Sequence, residues 1–151
     1  MAAMSADALS DDVVARLVEA ARRVRAHAWA PYSHFAVGAA LLDEHGRVHV
    51  GCNVENAAYP QGLCAEAGAI AALVAAGGRR IVGGAVVASS AAGASAVMPC
   101  GGCRQKLREF ASPDLPLVFA DDERVLARRT LGALLPESFG PDQLGHDEVA
   151  G

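Results

Sequence analysis

No apolar run in this 151-residue chain reaches the ~18 residues that a membrane-spanning helix needs. The small-residue stretches 69–76 and 85–98 come nearest, and both are shorter and interrupted. The first basic residue is Arg16, so no cationic start precedes an apolar segment in the manner of a secretory signal. Basic excess is missing too: 13 Lys and Arg stand against 17 Asp and Glu, a formal charge of -4, which counts against a polyanionic partner. There is no internal repeat at a period of ~20–50 residues, which excludes solenoids and propellers. These absences together read as a soluble, cytoplasmic protein with neither membrane nor nucleic acid as partner.

What is present fits one globular domain. Hydrophobic residues make up 52% of the chain and charged residues 20%, enough apolar content for a core of ordinary size. Residues 10–139 read as that domain, with flexible tails over 1–9 and 140–151. Ser10 followed by Asp11 and Asp12 signals a helix start, and Val13, Leu17, Ala21, Val24 and Ala28 continue it at three- and four-residue spacing. Residues 35–42 and 47–50 flank Asp43-Glu44-His45-Gly46 and predict a β-hairpin, followed by a polar loop over 51–62. A small-residue helix is predicted over 64–76, a strand buried on both faces over 81–88, and an irregular connector over 89–98. A helix over 100–110, strands over 115–120 and 124–128, and a short helix over 131–135 complete the chain. Strands alternating with helices in this order imply an α/β fold, a three-layer α/β/α domain.

The cysteines carry the chemistry. Cys52, Cys64, Cys100 and Cys103 are the four in the chain, and a core this apolar needs no disulfide staples. Cys100 and Cys103 have the x2 spacing that lets two thiolates hold one tetrahedral Zn²⁺. Cys64 and Cys100 both fall at predicted helix N-termini, where free N–H groups favour thiolate over thiol. Cys103, Leu107 and Phe110 are spaced to turn Cys103 inward. Three thiolates would leave one zinc position open, the mark of a catalytic site. Cys52 as fourth ligand would close that position, and His34 is the best placed of the five histidines to ligate, although none stands at zinc-finger spacing. Glu66 could be merely an acid favourable to the first helical turn. Beside an open zinc position it is instead a carboxylate able to take and return protons, as hydrolysis requires.

The pattern Cys64-Ala65-Glu66 followed by Pro99-Cys100-Gly101-Gly102-Cys103 resembles that of the small homotetrameric, zinc-dependent cytidine deaminases. The likeness extends over 13–139 and includes the stretches 32–41, 51–59, 99–105 and 134–139. It implies a central mixed sheet, hydrolytic deamination of cytidine and deoxycytidine with release of ammonia in pyrimidine salvage, Zn²⁺ as sole cofactor, and a homotetramer. Residue by residue, it implies that Cys64, Cys100 and Cys103 hold zinc and that Glu66 shuttles protons to ring N3 and the leaving amino group. It further implies that Asn53 and Glu55 bind the ribose hydroxyls, Phe35 packs on the pyrimidine, and the Ala65 backbone meets the polar edge of the base. Phe139 would enter a neighbouring subunit's site, with Tyr59 near a subunit contact. One departure stands out: where many members carry an Arg that donates to the thiolates, this chain has Ala67, and Arg104 is the candidate to replace it. The rivals are a deaminase of another aminopyrimidine, such as the blasticidin-type enzymes, a non-catalytic zinc-stabilised interaction module, and a thiol–disulfide oxidoreductase using Cys100 and Cys103.

Overall fold

A computed structural model describes residues 5–90, 93 and 95–146. Helix α1, Asp11–Arg25, is capped by the Ser10 side chain, which accepts from the Val13 N–H, with Asp11 and Asp12 at its positive end. Strands β1, Val37–Asp43, and β2, Val48–Cys52, form the expected hairpin. Helix α2, Ala65–Ala75, leads to β3, Ile81–Ala88, and α3, Gly101–Phe110, to β4, Pro116–Ala120. Strand β5, Val125–Thr130, and the single turn α4, Leu131–Leu134, follow.

The sheet order is β2-β1-β3-β4-β5, with β3 and β4 parallel and the other pairs antiparallel, so the sheet is mixed. Alternation along the strands serves two layers. Ala40, Leu42, Ala85 and Val87 meet Val14, Leu17, Val18 and Ala21 of α1 on one face. Ala39, Leu41, Val86, Leu117 and Phe119 meet Ala69, Ile70 and Leu73 of α2 and Leu107 of α3 on the other. The three-layer arrangement therefore follows from the period-two strand pattern meeting period-3.6 helices.

Several boundaries differ from the sequence reading. Helix α1 stops at Arg25 rather than Ala28, because Trp29 must donate to the Asn53 carbonyl and accept from the Glu55 N–H. Strand β1 begins at Val37 rather than Phe35. The Asn53 side chain takes the place of a ladder partner there, accepting from the Val37 N–H at 2.8 Å and donating to the Phe35 carbonyl at 2.8 Å. The loop expected over 51–62 is partly stitched, with Val54 and Leu63 exchanging backbone bonds and Tyr59–Gln61 forming a 3-10 turn. In the segments expected to be tails, Leu9 packs against the α1-side core and Pro141–Leu144 form a 3-10 turn. Residues 1–4, 91, 92, 94 and 147–151 lie outside the described residues.

At the hairpin end of β1 sits a buried carboxylate. Asp43 accepts from the His45 and Arg47 N–H groups at 2.9 Å, from Arg47 Nε at 2.8 Å, and lies 2.8 Å from His49 Nε2. Burial alone would raise its pKa, but these bonds outweigh it and hold the carboxyl far below the usual carboxylate range.

Candidate active site

Cys64 and Cys100 are the N-cap residues of α2 and α3, with extended backbones and no side-chain capping bond. Each thiol therefore stands where a helix presents unpaired N–H groups. Cys103 lies one turn into α3, buried on the face that continues to Leu107. Pro99 immediately precedes the cap, where its missing N–H costs no helical bond. The three sulfurs lie within 4.8 Å of one another, and they form the cluster that could hold a metal among the described residues. Cys52, at the end of β2, and His34 stand outside it.

Glu66 occupies the first turn of α2 and is 5% exposed. The close seat of α2 on the sheet fixes it there: a Cβ at Gly51 would stand 2.3 Å from the Ala69 nitrogen and 2.4 Å from the Ala65 carbonyl oxygen. Among the described residues no donor bonds the Glu66 carboxylate, yet none of its oxygens is fully buried without a partner. Its charge is felt by the thiols instead. Burial pushes the Cys103 thiol far up, with Glu66 adding to the rise, and burial likewise raises Cys64. The Cys103 N–H, with that of Gly102, lowers Cys100. Three thiols and a carboxylate this close repel one another when ionised, and a divalent cation among the sulfurs relieves the repulsion. The spacing agrees: a tetrahedral zinc with sulfurs at about 2.3 Å sets them about 3.8 Å apart. The donor set fits Zn²⁺.

Segments 29–37 and 53–63, the second running directly into Cys64, are bonded to one another. Glu55 accepts from the Tyr32 N–H at 2.9 Å, the Ser33 N–H at 3.0 Å and the Ser33 hydroxyl. The Ser33 hydroxyl bond is the main reason its carboxyl titrates below the ordinary glutamate value. Phe35 is half-buried between Ser33, whose hydroxyl accepts its N–H at 3.0 Å, and Asn53. Asn53, Glu55 and Phe35 are thus brought together through shared backbone bonds. Ala65 is buried beside Cys64. Tyr59 is exposed and meets Tyr32 edge to face at 5.7 Å.

The expectation for Arg104 is corrected. Its guanidinium donates to the Pro99 carbonyl at 2.8 Å and the Leu134 carbonyl at 2.6 Å, so it braces the turn ahead of Cys100 rather than a sulfur. Gln105 and Arg108, unnoticed in the sequence, reach the 138–142 segment. Arg104 and Gln105 stand four and three residues before Arg108, so the three share one helix face, which was the available signal. Ser33, also missed, carried no local signal, because its partner Glu55 lies 22 positions away.

Residues 12–118 match the family model described as cytidine and deoxycytidylate deaminase zinc-binding region. The chain belongs to the cytidine deaminase family. A curated cytidine deaminase from Mycobacterium tuberculosis is 47% identical over 124 residues, 82% of this chain and 87% of that one. A cytidine deaminase crystal structure from Burkholderia pseudomallei superposes with TM-score 0.77 at 39% identity, covering 87% of this chain and 100% of that one. One from Mycobacterium tuberculosis gives TM-score 0.72 at 43% identity, covering 87% and 99%. The domain common to this family binds zinc, in keeping with the three-cysteine cluster. None of the described helices is long and apolar enough to cross a membrane.

Proposed function

We propose that this protein hydrolyses the 4-amino group of cytidine and deoxycytidine, releasing ammonia, in pyrimidine salvage, and that it works as a cytoplasmic homotetramer. The observation that carries the reading is three thiols at two helix starts, clustered beside one buried carboxylate that no described donor holds. Cys64, Cys100 and Cys103 would hold Zn²⁺, which supplies a Lewis acid that makes water nucleophilic near neutral pH. Glu66 takes the proton of the attacking water on its carboxylate and passes it to ring N3. It then takes the proton of the hydroxyl added at C4 and delivers it to the amino group, which departs as ammonia as the C4–N bond breaks and the C4 carbonyl forms. Its shelter in the first turn of α2 keeps those protons from bulk solvent.

The ribose falls to Asn53 and Glu55. Three of about four lone-pair positions on the Glu55 carboxylate are taken by Tyr32 and Ser33, which leaves one for a sugar hydroxyl. Asn53 uses one acceptor and one donor on the backbone, and keeps a lone pair and an N–H for the same ligand. Phe35 packs on the pyrimidine and the Ala65 backbone meets its polar edge. Phe139, exposed on the surface, enters the site of a neighbouring copy. The exposed Trp29, Tyr59, Leu63 and Phe139 support an assembly that covers them.

The test is ammonia release measured on cytidine, deoxycytidine and free cytosine with protein of assayed zinc content. Turnover of both nucleosides, with cytosine far poorer, is the expected result. Zinc-loaded protein inert on every nucleoside would point to an interaction module. Equal rates on cytosine and cytidine would remove Asn53 and Glu55 from sugar binding.

A further inference from the structure

Helix α3 carries Cys103 on its inward face and Arg104, Gln105 and Arg108 on the adjoining polar one. All three reach the same C-terminal arm. Arg104 Nη1 donates to the Leu134 carbonyl at 2.6 Å, and Gln105 Nε2 to the Phe139 carbonyl at 2.9 Å. Arg108 Nε donates to Ser138 Oγ at 3.0 Å and Nη2 to the Asp142 carboxylate at 2.5 Å. Its guanidinium lies so close under Gly140 that a Cβ there would stand 2.4 Å from Cζ. The backbone of Phe139 is thus held directly, and on both flanks. Its ring is nevertheless 58% exposed.

A buried guanidinium is costly to desolvate, and this one gives its Nη1 to the Ala111 carbonyl at 3.4 Å while Nε and Nη2 go to residues on either side of an aromatic left in solvent. Burying the ring locally would explain such an anchor, but the ring is not buried. We propose that Arg108, assisted by Gln105 and Arg104, is a positioning residue for Phe139, holding the ring ready for the substrate site of another copy of this chain. The inference rests on the reading of Phe139 as a contributor to that neighbouring site. It adds that the helix supplying two metal thiols to one site also sets the aromatic lent to the next. A ring fixed beforehand spares its ordering when substrate binds, so its release weakens binding rather than chemistry.

The experiment compares Phe139→Ala, Arg108→Ala and the double variant by cytidine kinetics, zinc content and thermal unfolding. Stacking on one aromatic sets the scale: Phe139→Ala should raise KM about tenfold or more with kcat and zinc nearly unchanged. Arg108→Ala should raise KM about as far, and the double variant no further than Phe139→Ala alone. Arg108→Lys, which keeps the charge but not the fork, should recover KM only in part. If Arg108→Ala does not fold, Gln105→Ala serves, with a rise of about threefold for one lost bond that vanishes in the Phe139→Ala background. An unchanged KM in Phe139→Ala would sink the neighbouring-site reading itself. A normal KM in Arg108→Ala, or effects that multiply in the double variant, would overturn the positioning role alone.

Discussion

Two buried carboxylates stand at opposite ends of β1, and their surroundings could hardly differ more. Asp43, at the hairpin end, is filled by donors: two backbone N–H groups, Arg47 and the His49 ring. Glu66 lies beyond the other end, where Gly51 presses β2 against α2, and its near company is thiols rather than donors. A carboxylate whose acceptor positions are all used holds its proton state and its neighbours fixed. One left unfilled beside a cation site keeps its acceptor positions open to a ligand. The chain thus separates an acid saturated by donors from an acid that no described donor holds.

The sharpest way to break the contrast is to empty the thiol end. Cys103→Ser should abolish zinc retention and with it measurable deamination, because two remaining thiolates hold zinc poorly. Metal analysis beside ammonia release checks this, and a variant that keeps both would remove Cys103 from the ligand set. Next in size is Glu66→Gln. Zinc content should stay at the parent value while kcat falls by at least ~10². The unfolding temperature should hold, since no described donor depends on Glu66. A loss of stability with intact turnover would make Glu66 a second structural acid, equivalent to Asp43 at the hairpin end.

Asp43→Asn should reverse that pattern. A neutral amide leaves Arg47 and His49 without their charged acceptor, at about 1–3 kcal/mol of stability, with kcat unchanged. The sign of the pH dependence follows from the depressed folded value. Asp43 contributes its full stabilisation above its ordinary pKa of 3.8, and loses it as the pH falls through the lower folded value. Urea unfolding between about pH 3 and pH 6 should therefore fall more steeply toward acid in the parent than in Asp43→Asn. Parallel curves would mean that Asp43 is not the group that titrates.

The two ends were not equally legible in the sequence. Cys64, Cys100 and Cys103 could be read because spacing and helix starts are local properties, and each helix start falls within a residue of its expected place. Glu66 was legible as an acid in a first turn, although its isolation from donors was not. The Asp43 cluster is not legible in the sequence, since a hairpin turn of polar residues gives no hint that one of them is buried. The family resemblance implies a ligand role alone for Asn53 and Glu55, yet both also hold backbone 16 to 23 positions away. Arg104 shows the same limit: position in a motif identified it, and only the fold tells which carbonyls it faces.

The smallest expected effect decides most narrowly whether the open end is open. Cys52 closes β2 opposite Gly38, half-buried, with its sulfur outside the three-thiol cluster. Cys52→Ser should keep one zinc per chain, leave kcat within about twofold, and cost no more than about 1 kcal/mol for a slightly more polar half-buried atom. The contrast with Cys103→Ser is then qualitative, one thiol belonging to the strand end and the other to the metal. Loss of zinc from Cys52→Ser would instead mean a fourth thiolate and no coordination position left for water. Glu66 would then have no nucleophile to deprotonate, and the difference between the two buried acids would shrink to one of hydrogen bonding.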